Sequence, residues 1–304
     1  FQQENHPYAY DLDILGERSL YHYLNRTHTF LGRKLLAERL LSPTPERILD
    51  TQKQIQALTP DLDWRQTFTA YAQQIDDSEE FYTKLSAWAK APVKLLSNVM
   101  RYTLIALPIL LVACLLIGYG WDNELLKTIG KLLLTINLVT FFSFIGRIAK
   151  EKLGFERTYT MLYAFRECIA QVEARFPEKN QQASAKIAQL SRLLDDLDSV
   201  GNILVSIPLN AFSFYHIHRY QQLLQWKARY AAHIEEWLQS VGEIEVLCSF
   251  ANFAYNNPHF VYPTFNHQYR VSFEDVGHPL IAEKERITND IVLDEAHFVL
   301  LTGS

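Results

Sequence analysis

The sequence predicts a mainly α-helical chain, in which a bundle of long helices is followed by a small β edge near the C-terminal end. Apolar residues recur every three to four positions along most of the 304 residues, which is the spacing of a helix face. Two long apolar runs near the middle carry no charge, which also favours helices. Short apolar segments separated by turn-forming residues follow near the end and are typical of strands.

The composition indicates a folded chain with a sizeable core. Hydrophobic residues make up 48% of the chain and charged residues 21%, so more than one structural unit can form. The net charge of −5 argues against a main nucleic-acid-binding surface, while a local basic patch stays open. Cys114, Cys168 and Cys248 lack the spacing of a disulfide framework or a zinc site, which favours a reducing compartment. Because the chain begins at Phe1 without a signal-peptide pattern, we expect a segment of a longer protein.

Residues 1–91 are predicted to form an extended lead-in and four helices. The lead-in covers residues 1–18, and the core helices cover residues 19–91. A leucine stripe predicts a first helix that ends at Pro43, and Thr44 and Pro45 form the start of a second helix that ends at Leu58. An aromatic stripe predicts the third helix. Ser78 caps the fourth, which directs three residues inward: Phe81, Leu85 and Trp88.

Residues 92–149 are predicted to form a transmembrane helical hairpin. Residues 102–121 carry no charge, and 20 residues cross a hydrocarbon layer of about 30 Å as a helix. A second apolar run of 15 residues lies between Lys131 and Arg147, whose side chains would have to reach the membrane surface. Basic residues flank the pair and only Lys127 lies in the connection, so the positive-inside rule places both ends in the cytoplasm. A buried hairpin in a large bundle is the alternative.

Residues 150–256 are predicted to form lever and core helices. A seven-residue repeat predicts a long helix and a return helix that ends near Gly201, and its first apolar positions are Phe155, Leu162, Ile169 and Phe176. Pro208 is expected to restart the chain. One further helix carries Trp226, and the next carries Trp237 and ends at residues 256–258.

Two blocks of these helical regions resemble the core domain of the MutS family. Residues 11–43 read DLDILGERSLYHYLNRTHTFLGRKLLAERLLSP, with a Ser-Leu pair, an Asn-Arg-Thr-x-Thr turn, a Gly-Arg pair and a Leu-rich helix that ends in Pro. Residues 223–258 contain spaced tryptophans and a Glu-x-x-x-Ser-Phe-Ala motif formed by Glu245, Ser249, Phe250 and Ala251. The resemblance implies a long-helix core and lever bundle like MutS domain III.

A third block, residues 257–304, is similar to the N-terminal edge of the MutS ATPase domain. The order Gly277-His278-Pro279-Leu280, then Thr288-Asn289-Asp290-Ile291, then Thr302-Gly303-Ser304 carries this resemblance. It implies that His278, Pro279, Ile287 and Asn289 border the adenine and that Thr302, Gly303 and Ser304 enter the phosphate loop. Arg286 departs from the aromatic residue common near its position, although a guanidinium plane can also stack on a base. A plain loop corner is the alternative for His278 and Pro279.

The resemblance implies that the full-length protein is an ATPase and that this segment does not itself carry out catalysis. ATP and Mg²⁺ are expected in the full-length protein, but this segment lacks the Lys and the Mg²⁺-binding hydroxyl of the phosphate loop, so no catalytic residue is expected here. No histidine pair has metal-ligand spacing, and Asp195, Asp196 and Asp198 are expected to form a solvated face.

The resemblance implies a MutS-like, mismatch repair-type ATPase that couples ATP binding and hydrolysis to DNA, with the membrane as a further partner and a homodimer formed through the ATPase domain. The alternative is a membrane-tethered mechanical or scaffolding ATPase without mismatch recognition. The expected location is the cytoplasmic face of the inner membrane, or the cytoplasm if the hairpin is buried.

Overall fold

The computed structural model describes residues 6–151, 158–177, 182–265 and 270–293, and it is mainly helical, as predicted. Its elements are α1 (Leu20–Leu24), α2 (Phe30–Leu41), α3 (Ile48–Leu58), α4 (Leu62–Ala72), α5 (Glu79–Lys90), α6 (Asn98–Gly120), α7 (Glu124–Glu151), α8 (Thr158–Arg175), α9 (Ala183–Asp198), α10 (Ile203–Ser213), α11 (Tyr215–Tyr230), α12 (Ile234–Asn256), β1 (Val271–Val276) and β2 (Asn289–Leu293). They belong to two compact units: unit 1 contains Phe1–Arg26, Arg33–Leu62 and Val246–Ser304, and unit 2 contains Thr27–Gly32 and Asp63–Glu245.

The first part of unit 1 is a small core built around α2. Ala9, Ile14 and Leu15 pack with Ala37 of that helix. The described part of the lead-in closes into turns where the sequence predicts an extended segment, because the N–H of Leu12 donates to the carbonyl of Tyr8 at 3.1 Å and the N–H of Ile14 to that of Ala9 at 3.0 Å. These turns bury the small apolar side chains against the helix.

In unit 2, α8 and α9 form the predicted antiparallel pair, and the predicted apolar stripes are buried along both helices. The buried positions of α8 are Leu162, Phe165, Ile169 and Val172, and those of α9 are Ile187, Leu190, Leu194 and Leu197. Phe155, the first position of the predicted repeat, lies outside the described residues. The stripes were predictable because a helix face depends only on local spacing.

The hairpin of unit 2 consists of α6 and α7, which pack against each other. Ser97 caps α6 by accepting from the N–H of Met100 at 3.2 Å. The second helix is longer than its apolar run, since α7 continues over 28 residues from Glu124 to Glu151. At the tip, the ammonium group of Lys127 pairs with the carboxylates of Asp122 and Glu124. A Cβ added to Gly118 would meet the backbone of α7, so the two helices approach closely there.

Two details of the prediction are wrong. Pro208 does not restart the chain but lies inside α10, a short apolar helix that packs on both α6 and α7. Thr44 makes no side-chain cap; a 3-10 turn, Pro45–Arg47, comes first, and α3 then ends at Leu58 as predicted. The cap of the fourth predicted helix is confirmed, because the hydroxyl of Ser78 accepts from the N–H of Phe81 at 3.2 Å.

Candidate functional site

The predicted nucleotide edge is an antiparallel β-hairpin in unit 1. Val271 pairs with Leu293 and Phe273 with Ile291, and the register then shifts before Val276 pairs with Asn289. The shift is a bulge, in which Asp275 has a φ of 50° and its N–H donates to the Oδ1 of Asp290 at 2.9 Å. A bulge of this kind redirects the chain next to a loop.

The loop between the strands is held by Arg286. Its Nε and one terminal nitrogen donate to the carbonyl of Ile281 at 3.1 and 2.8 Å. The guanidinium lies 5.0 Å from the ring centroid of Phe260, and a Cβ added to Gly277 would collide with the Arg286 side chain. Arg286 therefore organises the loop through contacts within unit 1, and base stacking would have to compete with these contacts.

The described site residues lie on or beside this loop. Val276 pairs with Asn289, so His278 and Pro279 leave the hairpin from the end at which Asn289 enters it. His278 is exposed, with its Nδ1 accepting from the N–H of Leu280 at 3.3 Å, and Pro279 is half-buried. Ile287 is 81% exposed. Thr302, Gly303 and Ser304 lie outside the described residues.

The described part of this edge has exposed side chains beside the loop. Ile287 and the imidazole of His278 offer exposed apolar and aromatic surface. Among the described residues, no group of three or more His, Cys, Asp or Glu side chains could hold a metal ion.

The buried carboxylate of Glu245 connects the two sequence blocks described above. Glu245 and its partner His28 lie 217 positions apart in the chain, and both belong to unit 2. Glu245 is 2% exposed, and its Oε1 accepts from the N–H groups of His28 at 2.6 Å and of Thr29 at 3.2 Å. Its Oε2 accepts from the hydroxyl of Thr29, which in turn accepts from the N–H of Gly32 at 2.9 Å at the start of α2. The motif residues thus form a helix cap and clamp, in agreement with a structural role.

Glycines allow α12 and the start of α2 to approach closely, and burial shifts the pKa of the Glu245 carboxyl group. A Cβ added to Gly242 would lie 3.0 Å from the backbone nitrogen of Gly32, so α12 and the start of α2 touch through their backbones. Burial raises the pKa of Glu245 above its ordinary value, and the hydrogen bonds from Thr29 and His28 offset part of this rise. In unit 1, the next member of the motif, Ser249, accepts from the N–H of Arg26 at 3.2 Å.

A second buried charge network lies at the base of the hairpin. The Oε2 of Glu151 accepts from the indole nitrogen of Trp88 at 2.8 Å and from the ammonium of Lys227 at 3.0 Å. Lys227 is 5% exposed and lies 4.6 Å from the ring centroid of Trp88. The network connects α5, α7 and α11, so the hairpin is tied to the helices around it. Sequence reasoning missed it because its members are 63 and 76 positions apart.

The hairpin exposes an apolar surface. Both helices are long and apolar enough to cross a membrane, and only 22% of the most apolar window of each is buried. The exposed side chains of α6 include Tyr102, Ile105, Ile109, Leu110, Leu116 and Ile117, and those of α7 include Leu125, Leu132, Val139 and Phe142. The core helix of a water-soluble bundle would bury most of such residues.

Comparison with known proteins agrees with the resemblance described above. A family model for MutS domain III matches residues 9–251. A search of the curated proteins and a search of the solved structures give no match. The match covers the helices of both units up to the Glu245 and Ser249 motif, so the chain belongs to the MutS family, of which it carries domain III.

Proposed function

We propose that this chain is the core and lever segment of a membrane-anchored MutS-type ATPase. The observation that carries the proposal is the exposed apolar surface of α6 and α7 in a chain with a MutS domain III. In this proposal the hairpin spans the inner membrane, both of its ends lie in the cytoplasm, and ATP and Mg²⁺ bind in a nucleotide-binding domain that also forms the homodimer. The His278 and Pro279 turn contributes contacts to the adenine.

The energetics favour a bilayer around the hairpin over water. Exposing a large apolar side chain costs roughly 1.5–3 kcal/mol relative to burying it. Because the ten exposed residues of α6 and α7 named above are 42–73% exposed, they would together cost roughly 9–18 kcal/mol, as much as the 5–15 kcal/mol by which proteins are typically stable. On α6, together with the exposed Thr103 and Tyr119, they extend over slightly more than half of the helix circumference, which suits surrounding lipid better than one partner face.

DNA as the working partner is supported by the family and by one local feature of unit 2. A groove of about 570 Å³ is lined by arginines from three helices, Arg166 of α8, Arg192 of α9 and Arg219 of α11. This is a local basic patch in a chain whose net charge is −5. Arginines in a groove suit phosphate groups. Arg219 also pairs with Asp196 at 3.0 Å and Arg166 pairs with the neighbouring Glu167, so the groove carries less free positive charge than its arginine content suggests.

A second candidate function, a mechanical or scaffolding ATPase without mismatch recognition, is favoured by a different observation. The lever helices α8 and α9 are separated by residues 176–182 only. A DNA-holding clamp domain at the far end of the levers would need a much longer insertion. The overall charge of −5 also opposes a large contact with a polyanion.

Binding to duplex DNA over a range of salt concentrations separates the two candidates. The protein in detergent, joined to its nucleotide-binding domain, would be titrated with matched and mismatched duplexes. A DNA-coupled ATPase is expected to bind with a steep salt dependence, and Arg192→Ala is expected to reduce the salt slope by about 1. Lys53→Ala, which removes one positive charge at an exposed position of α3, serves as the matched control. No binding at low salt would contradict the DNA proposal and leave the scaffolding function.

The nucleotide part of the proposal has its own test. Hydrolysis is expected from the chain joined to the nucleotide-binding domain and is not expected from these 304 residues alone. Ile287→Glu places a charge at the edge proposed to border the adenine, so it should weaken binding of ATP to the joined protein. Leu49→Glu, at an exposed position in α3, is the control. Equal ATP affinity of the Ile287 variant and the control would contradict the assignment of this edge.

A further inference from the structure

The short helix α10 presents apolar side chains outward although it lies between charged helices. No Asp, Glu, Lys or Arg occurs between Asp198 and Arg219, and α10 occupies 11 residues of this stretch. The exposed fraction of the side chains reaches 88% for Leu204, 67% for Ile203 and 47% for Phe212. A helix in contact with water would show polar residues at such positions.

Three polar side chains of this segment, Ser206, Asn210 and His216, are buried instead. Asn210 and His216 are fully buried. The Oδ1 of Asn210 accepts from the N–H of His216 at 3.1 Å, and its Nδ2 lies 2.6 Å from the Nδ1 of the same ring. The Nε2 of His216 lies 2.8 Å from the hydroxyl of Ser199. Polar groups satisfied inside and apolar groups outside are the arrangement expected in contact with hydrocarbon.

The apolar face of α10 continues that of the hairpin. The helix packs on both α6 and α7, and the Nδ2 of the buried Asn137 donates to the carbonyl of Ala211 at 2.8 Å. The close approaches of Gly118 to Lys127 and of Gly130 to Leu115 give the register of the hairpin, and this register places Asn137 opposite Pro108, near the middle of α6. The C-terminal end of α10 therefore meets the hairpin about halfway along its length.

We infer that α10 is a third membrane-embedded element, which enters the bilayer beside the hairpin and returns to the same side. This inference rests on the proposed anchoring of α6 and α7. A helix of 11 residues is roughly 16 Å long, about half of a hydrocarbon layer, so it enters and does not cross. The charged residues on either side, Asp196 and Arg219, bond to each other at 3.0 Å, which keeps both ends of the segment together.

Quenching by lipids that carry a nitroxide on the acyl chain tests the inference. The chain with Cys114→Ala is labelled with an environment-sensitive dye at Leu204→Cys or Phe212→Cys and reconstituted in phosphatidylcholine and phosphatidylglycerol vesicles. The remaining cysteines, Cys168 and Cys248, are buried and stay unlabelled under native conditions. Val139→Cys on α7, 64% exposed, reports on the hairpin, and Tyr163→Cys on α8, 53% exposed, reports on the surface outside it.

We expect the dye at position 212, near the middle of the hairpin, to be quenched about as strongly as the dye at position 139, and the dye at position 204, near the entry of α10, to be quenched more weakly, while the dye at position 163 is not quenched. Quenching at position 139 without quenching on α10 would overturn the inference and leave the membrane anchoring intact. No quenching at position 139 would contradict the anchoring itself. Cross-linking between two copies through Leu204→Cys, with no lipid quenching there, would show that a second copy covers the helix and would also overturn the inference.

Discussion

Removing the carboxylate of Glu245 should weaken the contact between α12 and the start of α2 in unit 2. The carboxylate accepts hydrogen bonds from the N–H groups of His28 and Thr29 and from the hydroxyl of Thr29, and Thr29 is fully buried. A buried donor that loses its acceptor costs about 1–3 kcal/mol. The alanine variant no longer buries a carboxylate, which offsets part of this cost. We therefore expect Glu245→Ala to lower the free energy of unfolding by about 2–4 kcal/mol.

Glu245→Gln should be milder. Its carbonyl oxygen can still accept from the N–H groups of His28 and Thr29, and its amide can donate to the Thr29 hydroxyl, which has two lone pairs. The expected loss is about 1 kcal/mol. Urea unfolding in mild detergent, followed by tryptophan fluorescence, measures both variants. Glu236→Ala, an exposed position of α12, is the control and should change stability by less than about 0.5 kcal/mol.

The wild type and Glu245→Gln together test the raised pKa of Glu245. In the folded state the carboxyl holds its proton above its ordinary value of 4.5, so the folded state binds more protons than the unfolded state in that window. The stability of the wild type relative to Glu245→Gln should therefore fall as pH rises from 4.5 to the folded pKa, and then stay constant. A relative stability that rises with pH below 4.5 and is constant above it would refute the reasoning, because the hydrogen bonds would then outweigh burial and lower the folded pKa.

Three further predictions concern the hairpin and its connections. Leu110→Arg should add about 2.5–3.5 kcal/mol to the insertion free energy of α6 in a translocon assay, and insertion equal to that of Leu110→Ala would contradict a span at this depth. Lys227→Met should cost about 3–5 kcal/mol in urea unfolding because it leaves Glu151 without its cation, and adding Glu151→Gln should recover most of the loss; no recovery would argue against a coupled pair. Trp237→Ala should cost roughly 3–5 kcal/mol of stability. Because α12 precedes the His278 edge in the chain, a folded variant joined to the nucleotide-binding domain should still bind ATP while the stimulation of hydrolysis by DNA weakens, and unchanged stimulation would show that α12 does not carry this coupling.

The sequence predicted the features that depend on local spacing or on charge. The buried stripes of α8 and α9 follow from the helical repeat, and the hairpin follows from two charge-free runs. The motifs around Thr29 and Glu245 were recognised as family features, yet their contact was not predicted, because single-chain periodicity says nothing about which faces meet.

The parts that were not predicted depend on tertiary context. Pro208 suggested a break, but the structure continues α10 through it, and a helix of 11 residues is too short to suggest a span. The role of Arg286 depends on the carbonyl of Ile281 and the ring of Phe260, which only the folded loop brings to it. The phosphate-loop residues 302–304 lie outside the described residues and stay a prediction.

The most direct test of the account is the side of the membrane on which the tip of the hairpin lies. Asn123→Cys at the tip and Tyr163→Cys on α8, each in the Cys114→Ala background, would be labelled with a membrane-impermeant maleimide in sealed vesicles of both orientations. The account predicts that the two positions are labelled from opposite sides and that the chain stays with the membrane after alkaline extraction. Labelling of both positions from the same side, or recovery of the chain in the soluble fraction without detergent, would contradict a membrane-spanning hairpin.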